Sequence, residues 1–261
     1  MKGGGYMNII FASYGNDSCA LIQWAHETKL EDVTVLFNDT GWAANEWKTR
    51  IKQKEKWVRS LGFTPAQTSS MGLEALVKER KGWPRQGMQF CTMWLKIYPS
   101  AEWLDDHDPN LKATCLVGVR REESKARASF PEYEKSSDKY GGRAMYAPLV
   151  RHTTEERDAL LKRAGVEPLP HRSMECFPCI NSNRTDLRQL AKDPKRIAKI
   201  AKIEKEMGFT GKGKPRTMFR PYRHMGAVGI KEVVRWAESD RGDYDPDNEP
   251  DSGCDTGWCG I

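Results

Sequence analysis

The 261-residue sequence contains no apolar run near the roughly 18 residues that a membrane span needs. It shows no internal repeat. Its 22 Gly and 14 Pro are ordinary globular usage, which excludes collagen-like and low-complexity classes. The opening stretch, MKGGGYMNIIFAS, holds one Lys and an apolar run too short for a secretory signal. Seven cysteines is an odd number, so a disulfide scaffold is disfavoured, and a reduced, cytoplasmic setting with no membrane partner is expected. Two common nucleotide signatures are also missing. Gly208-x-x-x-x-Gly213-Lys214 begins like a Walker loop, but Pro215 stands where a Ser or Thr is needed, and a helix, not a strand, precedes it. The three-glycine spacing of the Rossmann fingerprint is absent after the first strand.

What is present is enough chain for one large domain or two small ones. Lys and Arg number 42 against 36 Asp and Glu, a net charge of +6. That average conceals a split. From Ala237 to Ile261 eight acids face one base, net −7, so residues 1–236 carry +13. A basic body suits a polyanionic partner or a phosphate-rich substrate, although a solubilising charge excess has the same composition. The positive charge concentrates between Arg184 and Arg223, where thirteen Lys and Arg oppose four acids. A helix with a cationic face, followed by a Lys/Arg loop with Phe219 and Tyr222, suits a phosphate backbone and carries no base code. A solvated helix face is the plainer alternative.

Met7–Ser13, Val33–Asn38 and Ala113–Val119 read as buried strands, and helices are expected after Ser18 and over Ala44–Leu61. Strand and helix in this rhythm predict an α/β fold, a parallel twisted sheet with helices on both faces, whose ligands bind beyond the strands' C-terminal ends. Further on, Thr153–Gly165 has a Thr cap, early acids and a terminal Gly; Asn183–Met207 is helical with a break at Asp193-Pro194; Ile230–Glu238 is a short helix. Residues 208–223 read as a flexible basic loop. The expected division is a nucleotide-binding domain over residues 1–150 and a basic, cysteine-bearing helical extension over 151–261, packed on the first.

The turn Ser13-Tyr14-Gly15-Asn16-Asp17-Ser18 joins the first strand to the first helix. Small residues, exposed helix amides and two serine hydroxyls suit a phosphate or pyrophosphate; a plain capped turn is the other reading. Cys19 and Cys115 fall in element interiors and are expected to be buried structural thiols. Cys176-Phe177-Pro178-Cys179 has metal-ligand spacing, and Cys254 and Cys259 flank a Gly-bearing turn. Four soft thiolates can bind zinc or an iron–sulfur cluster, and spacing does not choose between them.

These segments together resemble the phosphoadenosine phosphosulfate (PAPS) reductase-like family of PP-loop ATP pyrophosphatases, which has an adenine nucleotide α-hydrolase-like fold. SYGNDS resembles the family's SxGxDS pyrophosphate loop, and Asp39-Thr40-Gly41 its adenosine-holding DTG segment. Phe90-Cys91-Thr92 with Leu95-Lys96, and Gly118-Val119-Arg120 through Glu123-Ser124, resemble the CT..LK and GxRxxES blocks of its sulfonucleotide-reductase branch. The C-terminal Glu-Cys-Gly-Leu-His of the true reductases is replaced by Gly253-Cys254-Asp255-Thr256-Gly257-Trp258-Cys259. The CT..LK block and Cys-Phe-Pro-Cys look closer to the sulfur-insertion proteins of DNA phosphorothioation systems and to phage-borne relatives.

The resemblance implies that Ser13, Tyr14, Gly15, Asn16, Asp17 and Ser18 hold the phosphates of ATP or PAPS, with Asp17 alternatively orienting Mg2+. Asp39, Thr40, Gly41 and Ser124 complete the nucleotide site, and Lys96 and Arg120 meet phosphate oxygens. It favours a 4Fe-4S cluster over zinc, on Cys91, Cys176, Cys179 and Cys259, with Cys254 a rival ligand or a catalytic redox or persulfide cysteine. The implied activity is adenylation of an acceptor, DNA or RNA, followed by sulfur insertion, with a cysteine desulfurase as sulfur-donor partner. A thiol-dependent reductase of PAPS or adenylyl sulfate is the alternative. A zinc-stapled nucleic-acid-binding protein is a third.

Overall fold

In β1 (Asn8–Phe11) successive residues face opposite sides of a sheet, and both sides are apolar. Ile10 and Ala12 join one core with Val33, Val35 and Phe37 of β2 (Val33–Asp39) and Leu116 of β4 (Thr114–Leu116). Ile9 and Phe11 join the other with Leu36, Cys115 and Met145. Such double-sided burial needs helices on both faces. The first core is covered by Leu21, Ile22 and Ala25 of α1 (Asn16–Glu27), Val58 of α2 (Asn45–Ser60), and Leu160 and Leu161 of α6 (Thr154–Arg163). The second takes Leu104 of α5 (Tyr98–His107). Each such Leu, Ile or Val side chain stabilises by about 1.5–3 kcal/mol on burial.

The computed structural model describes residues 7–85, 87–219 and 228–240. Its six strands run in the order β3-β2-β1-β4-β6-β5, where β3 is Thr64–Ser69, β5 Tyr133–Glu134 and β6 Ala144–Tyr146. All neighbours are parallel except β5 and β6. The chain leaves β1 for β2 and β3 on one side, then returns to β4 on the other. This reversal places the loops after β1 and β4 side by side at the carboxyl edge, where open α/β sheets bind ligands. The strand and helix expectations for the first 119 residues hold in kind. β3 escaped notice because its sequence, TPAQTS, is mostly polar and only Thr68 is buried.

The structure divides into two units. One comprises the described parts of Met1–Gly72 and Thr92–Phe177; the other comprises the described parts of Leu73–Cys91 and Pro178–Ser252. Residues 151–177 thus belong with the sheet, since α6 packs on α1 and Arg163 forks onto Glu27 at 2.7 and 2.9 Å. The Thr153 cap forms as expected, paired reciprocally with Glu156. α4 (Phe90–Thr92) leads into a π-helical turn, Met93–Ile97, that continues into α5.

The second unit is built from α3 (Leu73–Glu79), α7 (Arg184–Ala191), α8 (Pro194–Met207) and α9 (Ile230–Glu238). Leu187, Leu190, Ile200, Ile203, Ile230 and Val233 are among its buried apolar positions. The α7–α8 break falls at Asp193-Pro194, where Asp193 caps the Arg196 amide and Pro194 opens the next helix. The flexible loop expected after α8 is, over residues 208–216, a hydrogen-bonded hairpin, because Thr210 pairs with Lys214 and Arg216 with Gly208 through the main chain. No helix among the described residues is long and apolar enough to cross a membrane.

Candidate functional site

The loop after β1 is fixed from beneath. Tyr14 takes a left-handed backbone conformation, φ 59°, at a cost on the order of 1–2 kcal/mol. The surroundings hold it there. Arg50 Nε donates to the Tyr14 carbonyl at 2.8 Å and Trp47 Nε1 to the Ser13 carbonyl at 3.0 Å. The Tyr14 ring is buried against Phe37, 5.8 Å between centroids, and burial keeps its hydroxyl protonated well above the ordinary tyrosine range. Asn16 is engaged likewise. Its amide donates to the Leu169 carbonyl at 3.0 Å and accepts from the Leu169 N–H at 2.9 Å. Tyr14 and Asn16 therefore shape the loop with their side chains.

Gly15 is the N-cap of α1 and provides no side-chain cap to the helix's first amides. These N–H groups carry the positive end of the helix dipole, an anion site by construction. A Cβ on Gly15 would lie 3.0 Å from the Ser173 Cβ, so the loop and the 173 segment pack too closely for a side chain. Ser13 Oγ accepts from the Gly15 N–H at 3.3 Å, and Ser18 Oγ donates to the Gly15 carbonyl at 3.3 Å.

The loop after β4 closes on the same helix end. A Cβ on Gly118 would sit 3.2 Å from the Asp17 carbonyl carbon and oxygen and 3.4 Å from the Ser18 nitrogen. Two residues on, Arg120 is 4% exposed, and its Nε donates to Asp17 Oδ1 at 2.6 Å. Arg157, on α6, reaches the same oxygen at 3.8 Å and Asp158 at 2.6 Å. Glu123 accepts from the Arg120 N–H at 2.9 Å and pairs with Arg127. Burial, then the Asp17 charge, pushes the Glu123 carboxyl up. Ser124 is half-buried at the end of this turn. Gly118→Ala is expected to displace the α1 N-terminus, costing about 1–3 kcal/mol in stability. It should also weaken binding of a non-hydrolysable ATP analogue. Thermal unfolding and calorimetric titration check both effects, and unchanged values would mean the two loops can separate freely.

At the end of β2, Asp39 Oδ1 accepts from the Gly41 N–H at 2.8 Å, and Gln67 donates to Oδ2 at 3.4 Å. Thr40 is buried and donates to the Glu175 carbonyl at 2.8 Å. Gly41 turns the chain at φ +63°, with the Gly72 Cα 3.0 Å from where a Cβ would stand. Lys96, on the π-helical turn, reaches Glu175 Oε1 at 2.9 Å, and both side chains are 8% exposed. Ser173 donates to the other Glu175 oxygen. Main-chain bonds from Ala44 to Met174 and from Phe177 to Trp42 hold this segment along the residues that follow β2.

Loop, DTG segment, Lys96 and Arg120 thus all lie in the unit that carries the sheet. Glu175, Ser173 and Arg157 are the partners that the sequence patterns did not name. Glu175 stands 79 residues from Lys96, and its place beside Cys176 was the one available signal.

Cys19 and Cys115 are fully buried as expected, and burial pushes the Cys115 thiol up to about 12. Cys176 belongs to the first unit, Cys91 and Cys179 to the second, and all three are half-buried. Cys254 and Cys259 lie outside the described residues. Among the described residues no three Cys, His, Asp or Glu side chains gather to hold a metal ion, so these alone do not fit a cluster or a zinc ion.

The basic segment is partly structural. Arg184 and Arg188 donate to the Ala237 carbonyl at 3.1 and 2.7 Å, satisfying the end of α9. Arg196 is buried, Lys199 pairs with Glu74 at 2.9 Å, and Arg216 donates to the Met207 and Phe209 carbonyls at 3.0 and 2.6 Å. Lys192, Lys195, Lys202, Lys205, Lys212 and Lys214 face solvent. Tyr222 and Arg223 lie outside the described residues.

The chain is 29% identical to an uncharacterised 37.8 kDa protein of Escherichia phage 186, over 90% of this chain and 89% of that protein. It is similar to the U34-tRNA thiolase NcsA of Methanococcus maripaludis, solved with its 4Fe-4S cluster, at 12% identity over 90% of this chain and 82% of that one, TM-score 0.48. It is also similar to the PAPS reductase of Candida auris in a phosphate complex, at 14% identity over 63% of this chain and 76% of that one, TM-score 0.45. The profile of the phosphoadenosine phosphosulfate reductase domain matches residues 7–205. With a largely parallel sheet and a family match over most of its length, the chain belongs to the PAPS reductase domain family, whose members act on nucleotides.

Proposed function

We propose that the protein is a nucleotide-dependent sulfurtransferase that adenylates a nucleic-acid acceptor with ATP and replaces the activated oxygen by sulfur. The observation that carries this reading is the α1 N-terminus at the sheet's reversal point, without a side-chain cap, with Arg120 tied across it by Asp17. The helix amides and the Ser13 and Ser18 hydroxyls bind the pyrophosphate portion of ATP. Asp17, bonded through one oxygen to Arg120, would hold a phosphate-borne Mg2+ that would neutralise phosphate charge. Asp39, Thr40 and Gly41 line the nucleoside side.

An oxygen of an acceptor phosphate attacks the α-phosphorus, the α–β bridge bond breaks, and pyrophosphate leaves with that electron pair. A hydrosulfide-level sulfur then attacks the acceptor phosphorus and expels AMP, with no net oxidation or reduction. Lys96 and Arg120 stabilise charge developing on the transferring and leaving oxygens. Both cations are held by carboxylates, so they are oriented before substrate arrives. Cys254, outside the described residues, is the proposed sulfur-handling thiol; a cysteine desulfurase would load it as a persulfide, and an external thiol attacking the inner sulfur would release hydrosulfide and leave a mixed disulfide.

The test is product analysis with anaerobically purified full-length protein, given ATP or PAPS, with sulfide and a nucleic-acid acceptor. AMP and pyrophosphate from ATP, with sulfur retained in the acceptor, are expected. Thiol-dependent sulfite from PAPS, with no acceptor-stimulated AMP, would assign the protein to the reductase reaction instead.

A further inference from the structure

We propose that the hairpin at residues 208–216 is a contact for single-stranded nucleic acid, with Phe209 stacking on an unpaired base and Lys212 and Lys214 meeting adjacent phosphates. This deepens the sulfur-transfer reading, resting on its nucleic-acid acceptor and naming the form in which that acceptor is held.

The hairpin has a defined frame. Gly208, at φ 62°, turns the chain at the end of α8. Phe209 and Pro215 face each other as an antiparallel pair. The Thr210 N–H donates to the Lys214 carbonyl at 2.8 Å, and the Lys214 N–H to Thr210 Oγ1 at 3.1 Å. Gly213 makes the tight turn at φ +69°, its N–H donating to the Thr210 carbonyl at 2.9 Å. At the base, the Arg216 N–H donates to the Gly208 carbonyl at 2.9 Å. The Arg216 guanidinium donates to the Met207 carbonyl, the last of α8, and to the Phe209 carbonyl of the hairpin. The projection is therefore ordered without help from its tip side chains.

Those side chains are the unexplained part. Phe209 is 67% exposed, whereas Met218 and Phe219, just beyond the hairpin, are buried. Leaving a Phe in water forgoes about 1.5–3 kcal/mol of burial. Lys212 and Lys214 are exposed at the tip, Lys205 is exposed in the last turn of α8, and residues 208–216 contain no acid. An aromatic face flanked by cations, on a rigid stem, matches a ligand that alternates flat π-surfaces with phosphates. In a duplex the base faces are hidden by stacking, which leaves unpaired strands as the partner. Arg184 and Arg188 are bonded to carbonyls and Arg196 is buried, so the nucleic-acid face of the basic segment is narrower than its charge suggests.

Fluorescence anisotropy of labelled oligothymidylate, an equally long duplex and phosphatidylserine-containing vesicles, each titrated with the full-length protein, tests this. Phe209→Ala should weaken single-strand binding between about fivefold and 150-fold. It should leave duplex binding and the melting temperature essentially unchanged, and Phe209→Trp should restore affinity. Lys212→Ala with Lys214→Ala should lower the single-strand log–log salt slope by about 1.4. Unchanged single-strand affinity in Phe209→Ala, or an equal loss on duplex, overturns the proposal. So does a Phe209 dependence seen with vesicles alone. None of these readouts requires nucleotide turnover. If ATP yields no AMP but the single-strand effect holds, the sulfur-transfer reading falls and the contact stands.

Discussion

Arg143→Met is expected to lower the unfolding free energy by about 3–5 kcal/mol in urea titrations, the cost of orphaning a buried charge partner. Arg143 is 1% exposed and each of its three guanidinium nitrogens makes a hydrogen bond. Its Nε donates to Asp108 Oδ2 at 2.8 Å, and its Nη2 to the Leu104 and Asp108 carbonyls at 3.0 and 2.7 Å. Asp108 in turn accepts the Lys112 and Ala113 N–H groups at 3.0 and 2.9 Å, tying the end of α5 to the entry of β4. A contact with the largely exposed Asp105 adds little. Burial acts to raise the Asp108 carboxyl but is outweighed by the Ala113 and Lys112 N–H groups and then by Arg143, leaving it below the ordinary aspartate range.

The pH dependence follows from that direction. A depressed carboxyl stabilises the fold fully above the unfolded value, about 3.9, and the contribution fades as pH falls through the folded value. The gap between wild type and Arg143→Met should therefore be constant near neutrality and shrink below about pH 4. A loss under about 1 kcal/mol at neutral pH would show that the site relaxes and lets water reach Asp108.

The second large effect is on turnover. Lys96→Ala is expected to reduce nucleotide product formation by about a hundredfold or more, the usual loss for a fixed group that meets transition-state charge. The single variant is ambiguous, because it strands Glu175, 8% exposed, with Ser173. Lys96→Met with Glu175→Gln removes both charges and leaves neutral groups of similar length. This pair should regain the wild-type melting temperature and remain inactive. Recovery of turnover along with stability would make the ion pair structural and exclude Lys96 from the chemistry.

Much of the sheet was legible because its strands advertise themselves. Ile9, Ile10 and Phe11, or Val33 to Phe37, are apolar on both faces, as strands buried between two layers of helices must be. The cap at Thr153 and the stop at Asp193-Pro194 were equally plain, since they depend on groups three or four residues apart. β3 was missed because it is held by the main-chain ladder with β2 and little side-chain burial. The pairing β5–β6 was missed because strands of two and three residues are too short for periodicity.

Family and fold class were thus legible in the order of short local patterns. What those patterns could not contain was partnership across the chain. Tertiary structure alone decided that Asp17 holds Arg120, that Glu175 holds Lys96, and that Asn16 clamps Leu169. It alone divided the basic segment into internal props and solvent-facing lysines, and stood Phe209 out on an ordered hairpin. The reason is physical. Strand and helix tendencies are set by neighbours within a few residues, whereas a buried charge can be placed only opposite another group that the folded sheet brings to it.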